Sequence, residues 1–159
     1  MRPSWTHSGV VVALLALLVA CSPGAPQATE WADEPSFDAL FTRVHQEVLR
    51  PNCALATCHD GHFEPDFRTV TSAYYTTVLH PPVKNSKDGR FVYRVVPGSP
   101  EESLLIERVT NCCFIDGNDR MPLLGEALKP HEIDLLREWI AAGAPDWSGR
   151  TSIYGHLFD

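Results

Sequence analysis

Apolar positions along the chain gather into four helical stretches separated by long polar or proline-rich intervals. In the first, Phe37, Leu40, Phe41, Val44, Val48 and Leu49 recur at the three- and four-residue spacing of one helix face. Ser36 stands where an N-cap belongs, and Pro51 is expected to stop the helix. The second stretch covers residues 67–79, with Val70, Ala73, Tyr74, Val78 and Leu79 on its face. Thr71 or Ser72 would cap it, and His80-Pro81-Pro82 would end it. Residues 83–96 read as loop around a polar turn at Asn85-Ser86-Lys87-Asp88-Gly89, with a short extended segment over 91–96. The third helix starts at Ser99 as N-cap, with Pro100 at N1, Glu102 closing a capping box, and Leu104, Leu105, Arg108 and Val109 carrying it onward. A loop over residues 111–125 follows. The fourth helix opens on Pro130, presents Ile133, Leu135, Leu136, Trp139 and Ile140, and stops at Gly143. The expected fold class is all-α: a small domain of about four helices with long loops.

Ahead of the first helix the pattern changes twice. Residues 1–9 carry Arg2 and no acid, and residues 10–20 are an unbroken apolar run. That run is too short to span a bilayer and has the length of a signal-peptide core. It ends in Leu18-Val19-Ala20-Cys21, which resembles the bacterial lipobox. The resemblance implies a lipoprotein signal peptide over residues 1–20 and a lipidated Cys21 as the first mature residue. Ser22, rather than Asp, next to it implies sorting to the periplasmic face of the outer membrane. The lipid would tether the protein to the membrane without spanning it. Residues 21–35 read as a flexible linker, 36–147 as one folded domain and 148–159 as a C-terminal tail.

Charge narrows the function classes. The chain carries a formal charge of −7, made slightly more acidic by loss of Arg2, and has no Lys/Arg cluster. Nucleic acid is therefore not an expected partner. No G-x-S-x-G and no cysteine with an evident base partner is present, so nucleophilic catalysis has no candidate. Asp116 and Asp119 read as solvated loop charges. Export places the five cysteines in an oxidising compartment that permits disulfides.

The stretch that carries chemistry is Cys53-Ala54-Leu55-Ala56-Thr57-Cys58-His59. Two cysteines followed at once by histidine suggest covalent haem attachment, each thiol adding to a vinyl group and the histidine turning back to the iron. The usual spacing is C-x-x-C-H; here it is two residues longer. His62 lies close by and reads as solvent-facing. His45, beside the apolar stripe of the first helix, reads as a surface or boundary residue.

Three pieces in this order resemble the planctomycete-type group of class I-like c-type cytochrome domains. They are the first helix with its Cys53…Cys58-His59, and Val95-Val96-Pro97-Gly98-Ser99-Pro100-Glu101-Glu102-Ser103-Leu104-Leu105, close to V-x-P-G-[DS]-P-x-x-S-x-L. The third is Met121-Pro122 followed by Leu128-Lys129-Pro130-His131-Glu132-Ile133 and Trp139-Ile140-Ala141-Ala142-Gly143-Ala144. The resemblance implies a cytochrome c-like domain with one covalent haem c. Cys53 and Cys58 match the thioether cysteines, His59 the proximal iron ligand and Met121 the distal one, with His80 its histidine rival. First and last helices would cross beside the haem, with Trp139 between them. It implies an electron-transfer protein rather than an enzyme, passing single electrons to redox partner proteins that the sequence does not name.

Other fates for the same residues stay open. Cys53 and Cys58 could pair with Cys112 and Cys113 in two disulfides, giving a haem-free structural or partner-binding lipoprotein module of the same fold. One thioether with one cross-link is a mixed case. Zinc could use Cys53, Cys58 and His59 or His62 with Cys112 or Cys113, although adjacent Cys58 and His59 are awkward ligands for one tetrahedral ion.

Overall fold

The computed structural model describes residues 39–86, 89–111 and 120–151. The chain divides into two units, Met1–Ala32 and Asp33–Asp159, and every described residue belongs to the second. Cys21, Ser36, Phe37, Cys112, Cys113, Asp116 and Asp119 lie outside the described residues.

The first apolar stripe forms three contiguous segments, α-helical Leu40–Arg43, π-helical Val44–Leu49 and α-helical Arg50–Cys53, together α1. Pro51 does not stop it. In an α-helix proline lacks the needed N–H and its ring meets the carbonyl four residues back. Here the winding is widened: Arg50 N–H donates to the His45 carbonyl and Ala54 N–H to the Leu49 carbonyl at 3.3 Å, each five residues back. The Val48 carbonyl accepts instead from the Asn52 amide side chain at 2.9 Å. The wide turn also alters which residues face inward. Phe41, Val44, Val48 and Leu49 are buried as expected, and His45 is buried with them, 5% exposed, which corrects the boundary role expected of it.

Helix α2, Val70–Tyr75, is much shorter than the expected 67–79. Thr69 rather than Thr71 or Ser72 is the cap: its hydroxyl accepts from Ser72 N–H at 3.1 Å, while the Ser72 hydroxyl accepts from Thr69 N–H at 3.2 Å. The helix ends where Thr76 and Thr77 turn their hydroxyls back onto the carbonyls of Ser72 and Ala73. Leu79 then takes a positive φ of 53°, and a single parallel bridge joins Val78 to Val95.

The expected third helix is split. Pro100–Glu102 is one 3-10 turn, and α3 is Leu104–Thr110, with Ser103 as its N-cap. Ser99 makes no side-chain cap. The buried Ser103 hydroxyl links the turn instead, accepting from Val96 N–H and donating to the Ser99 carbonyl, both at 2.9 Å. Helix α4, Pro130–Ala141, begins on Pro130 as expected, and the Glu132 carboxylate accepts from Lys129 N–H at 2.6 Å. Gly143, at φ 87°, closes it.

The four helices share one core, so the domain is all-α. Helices α1 and α4 meet through Phe41 and Trp139, whose ring centroids are 4.7 Å apart. Tyr74 sets its ring edge-on to Phe41 at 5.2 Å, and Trp147 closes on Tyr74 at 5.7 Å. Trp139 is fully buried, and its indole N–H donates to the Pro145 carbonyl at 2.9 Å, so burial leaves its polar atom satisfied. Asp146 folds the following residues into a turn by accepting from the backbone N–H groups of Ser148 and Arg150. Among the described residues, no helix is long and apolar enough to cross a membrane.

His45 makes stability depend on pH. Burial pushes its imidazole below its ordinary value; the hydrogen bond to the Phe67 carbonyl opposes this, and nearby Arg50 adds to it. The unfolded chain therefore takes up this proton at a higher pH than the folded one. Stability contributed by neutral His45 is full above the ordinary histidine range and falls as pH drops below about 6.5. Chemical denaturation at pH 7.5 and pH 5.5 checks this: the midpoint of wild type should fall more than that of His45→Gln.

Candidate haem-attachment site

Cys53 is the last residue of α1, so the helix end fixes where the site begins. The segment after it closes on itself. Cys58 N–H donates to the Leu55 carbonyl at 2.9 Å, and His59 N–H donates to the Cys53 carbonyl at 3.2 Å. The longer spacing is thus taken up in a local turn, with Thr57 at φ 68°, and His59 is brought back beside Cys53. Asp60 steadies the turn by accepting from Thr57 N–H at 3.3 Å.

The two cysteines are free thiols in different surroundings: Cys58 is exposed, Cys53 half-buried. Burial pushes the Cys53 thiol up to about 12, and charge on Cys58 and Glu132 adds to the shift. Cys53 is therefore a protonated thiol at neutral pH, and the thiolate is the reactive form. In the haem-free chain at pH 8, iodoacetamide should modify Cys58 at least about tenfold faster than Cys53. Peptide mass mapping over time reads the two rates.

The His59 ring is set by one bond. Its Nδ1 lies 2.9 Å from the Pro65 carbonyl oxygen, which can only accept. Nδ1 must carry the proton, and in the neutral ring the lone pair then sits on Nε2. Phe67 holds the same residue from two sides: its N–H donates to the His59 carbonyl at 2.9 Å, and its ring stands edge-on to the imidazole at 5.3 Å. An imidazole whose second nitrogen is tied to a backbone carbonyl is the usual form of a metal-binding histidine. No sequence signal marks Pro65, because any residue supplies a carbonyl.

Met121 lies in the loop ahead of α4, half-buried, its N–H donating to the Arg108 carbonyl at 2.7 Å. The two loops approach each other. Pro51, Asn52 and Leu55 on one side and Pro122, Gly125 and Glu126 on the other line one cleft of about 210 Å³. Cys53, Cys58, His59 and Met121 stand outside that lining, and the cleft is smaller than an enclosed ligand site of roughly 300–1,000 Å³. Both loops also expose large apolar side chains: Leu55 and Phe63 on the first, Leu123 and Leu124 on the second.

His62 and His80 have partners of their own. His62 is exposed and pairs with Asp60 through Nδ1 at 2.9 Å; this bond holds the Asp60 carboxyl below its ordinary range. His80 places Nδ1 3.1 Å from the Pro81 carbonyl and Nε2 3.9 Å from the Glu64 carboxylate. Among the described residues, no group of three or more His, Cys, Asp or Glu side chains could hold a metal ion. A zinc set drawn from Cys53, Cys58, His59 and His62 alone therefore has no geometry to stand on. Cys53 and Cys58 stand as two thiols without a disulfide, and His59 meets the backbone through Nδ1. Comparison of the chain with family models, with curated proteins and with solved structures returns no match.

Proposed function

We propose that the protein is a haem-binding single-electron carrier, a c-type cytochrome domain held at the cell envelope by a lipid on Cys21. The observation that carries this reading is the His59 ring, whose Nδ1–H is committed to the Pro65 carbonyl and whose Nε2 keeps its lone pair. Cys53 and Cys58 would hold the haem c by thioethers, His59 would ligate the iron, and Met121 would supply the second axial ligand. Bound iron would supply the ferrous/ferric couple, which histidine/methionine ligation poises at raised potential.

The chain's own residues do the rest. The turn from Leu55 to Cys58 takes up the longer spacing and returns His59 N–H to the Cys53 carbonyl. The Pro65 carbonyl fixes the ring tautomer and raises the basicity of Nε2. Leu55, Phe63, Leu123 and Leu124, exposed on the chain by itself, offer the apolar contacts that a porphyrin face takes from its protein. With His59 and Met121 both holding it, a bound haem would supply electron transfer rather than bond chemistry. A spectroelectrochemical titration of the mature chain tests the reading. One reversible transition of a single electron supports it; a chain with no such transition overturns it.

A further inference from the structure

The acceptor that orients His59 is itself held at both ends. Pro65 lies between Glu64 and Asp66 in a segment outside the helices, tied to His59 in the backbone by Phe67 N–H on the His59 carbonyl at 2.9 Å. On one side the Glu64 carboxylate takes a bond from Arg94 Nη2 at 2.9 Å. The Arg94 side chain is only 6% exposed, and its other nitrogen donates to the Thr76 carbonyl, so this anchor is set in the core. On the other side the Phe67 carbonyl accepts from Nε2 of the buried His45 at 3.0 Å, across 22 residues. Between these anchors Asp66 N–H donates to the Thr76 hydroxyl at 3.0 Å. An imidazole inside an apolar helix face is costly unless its bond is needed, and here the bond ends on the residue packed against the His59 ring.

We propose that Glu64 and His45 are positioning residues that clamp the 64–67 segment and so hold the Pro65 carbonyl on His59 Nδ1. This rests on the haem reading for its purpose, but the clamp is a property of the chain. Released at either end, the carbonyl swings away, the Nδ1–H is freed and the ring loses its fixed orientation. The iron ligand becomes less basic, so the potential of the loaded protein rises.

The test is ¹⁵N NMR of the imidazole groups in the full mature chain as purified, reduced if it carries haem. Wild type, Glu64→Ala and His45→Leu are compared, with Glu64→Gln and His45→Gln as variants that keep a polar partner. A protected His59 Nδ1–H is expected in wild type, with exchange about tenfold faster in Glu64→Ala and in His45→Leu, as loss of one hydrogen bond implies. The glutamine variants should restore part of the protection, and in loaded protein the midpoint potential should follow the same order. Glu64 is half-exposed, so Glu64→Ala reads out even where His45→Leu fails to fold. Unchanged exchange in Glu64→Ala, whatever its stability, would overturn the clamp. A haem assay on the same samples keeps that failure separate from failure of the haem reading, because the Nδ1–H reports with or without iron.

Discussion

If the protein carries haem as proposed, replacing Met121 by alanine is expected to convert a six-coordinate low-spin iron into one with an open axial position, and to lower the midpoint potential. The fall should be on the order of 0.1–0.3 V, well within the roughly 0.8 V that axial ligation spans. A thioether favours ferrous iron; water or a vacancy in its place favours ferric. The fold should barely notice. Met121 is half-buried, lies in a loop and is not among the core residues. Its tie to Arg108 is through its backbone N–H, which alanine keeps. Visible spectra with potentiometry read the first effect, and thermal unfolding the second. A variant with unchanged spectrum and potential would remove Met121 from the iron, and His80 would be the next residue to substitute.

Trp139→Ala is expected to cost about 3–5 kcal/mol, a large share of the stability of a small domain. The indole is fully buried, packs on Phe41 at 4.7 Å and donates to the Pro145 carbonyl. Its removal opens a cavity where α1 and α4 meet and leaves that carbonyl unpaired, so two separate losses add. Because α1 ends at Cys53, the disturbance should also reach the candidate site. Denaturant titration of Trp139→Ala beside Trp139→Phe separates the terms: phenylalanine keeps most of the packing and loses the hydrogen bond. Equal stability of all three proteins would contradict this account of the core.

The helical faces could be read from the sequence because they rest on spacing alone. Phe41, Val44 and Val48, or Leu135, Leu136 and Trp139, repeat at intervals that only one side of a helix can bury. Elements set by one residue's rivals were harder to read. Pro51 is a strong stop signal in an α-helix, but five-residue winding and the Asn52 side chain make room for it. Ser99 satisfies every local rule for a cap, yet neither it nor Ser103 caps with its side chain; the Ser103 hydroxyl instead bridges Val96 and Ser99. In the candidate site the thiols and histidine were legible as residue types. The acceptor at Pro65 and the anchor at His45 were not. Each depends on a backbone carbonyl brought near by the fold, and a carbonyl has no letter in the sequence.

The proposed electron carrier stands or falls with covalent haem on Cys53 and Cys58. A pyridine haemochrome spectrum with intact mass, on the mature chain made alongside a c-type maturation system, tests it most directly. A c-type band and a mass increased by one haem are expected, both lost in the Cys53→Ala/Cys58→Ala double variant. A chain without haem, with a mass lowered by the four protons of two disulfides, would contradict it and leave a disulfide-stapled binding module in its place.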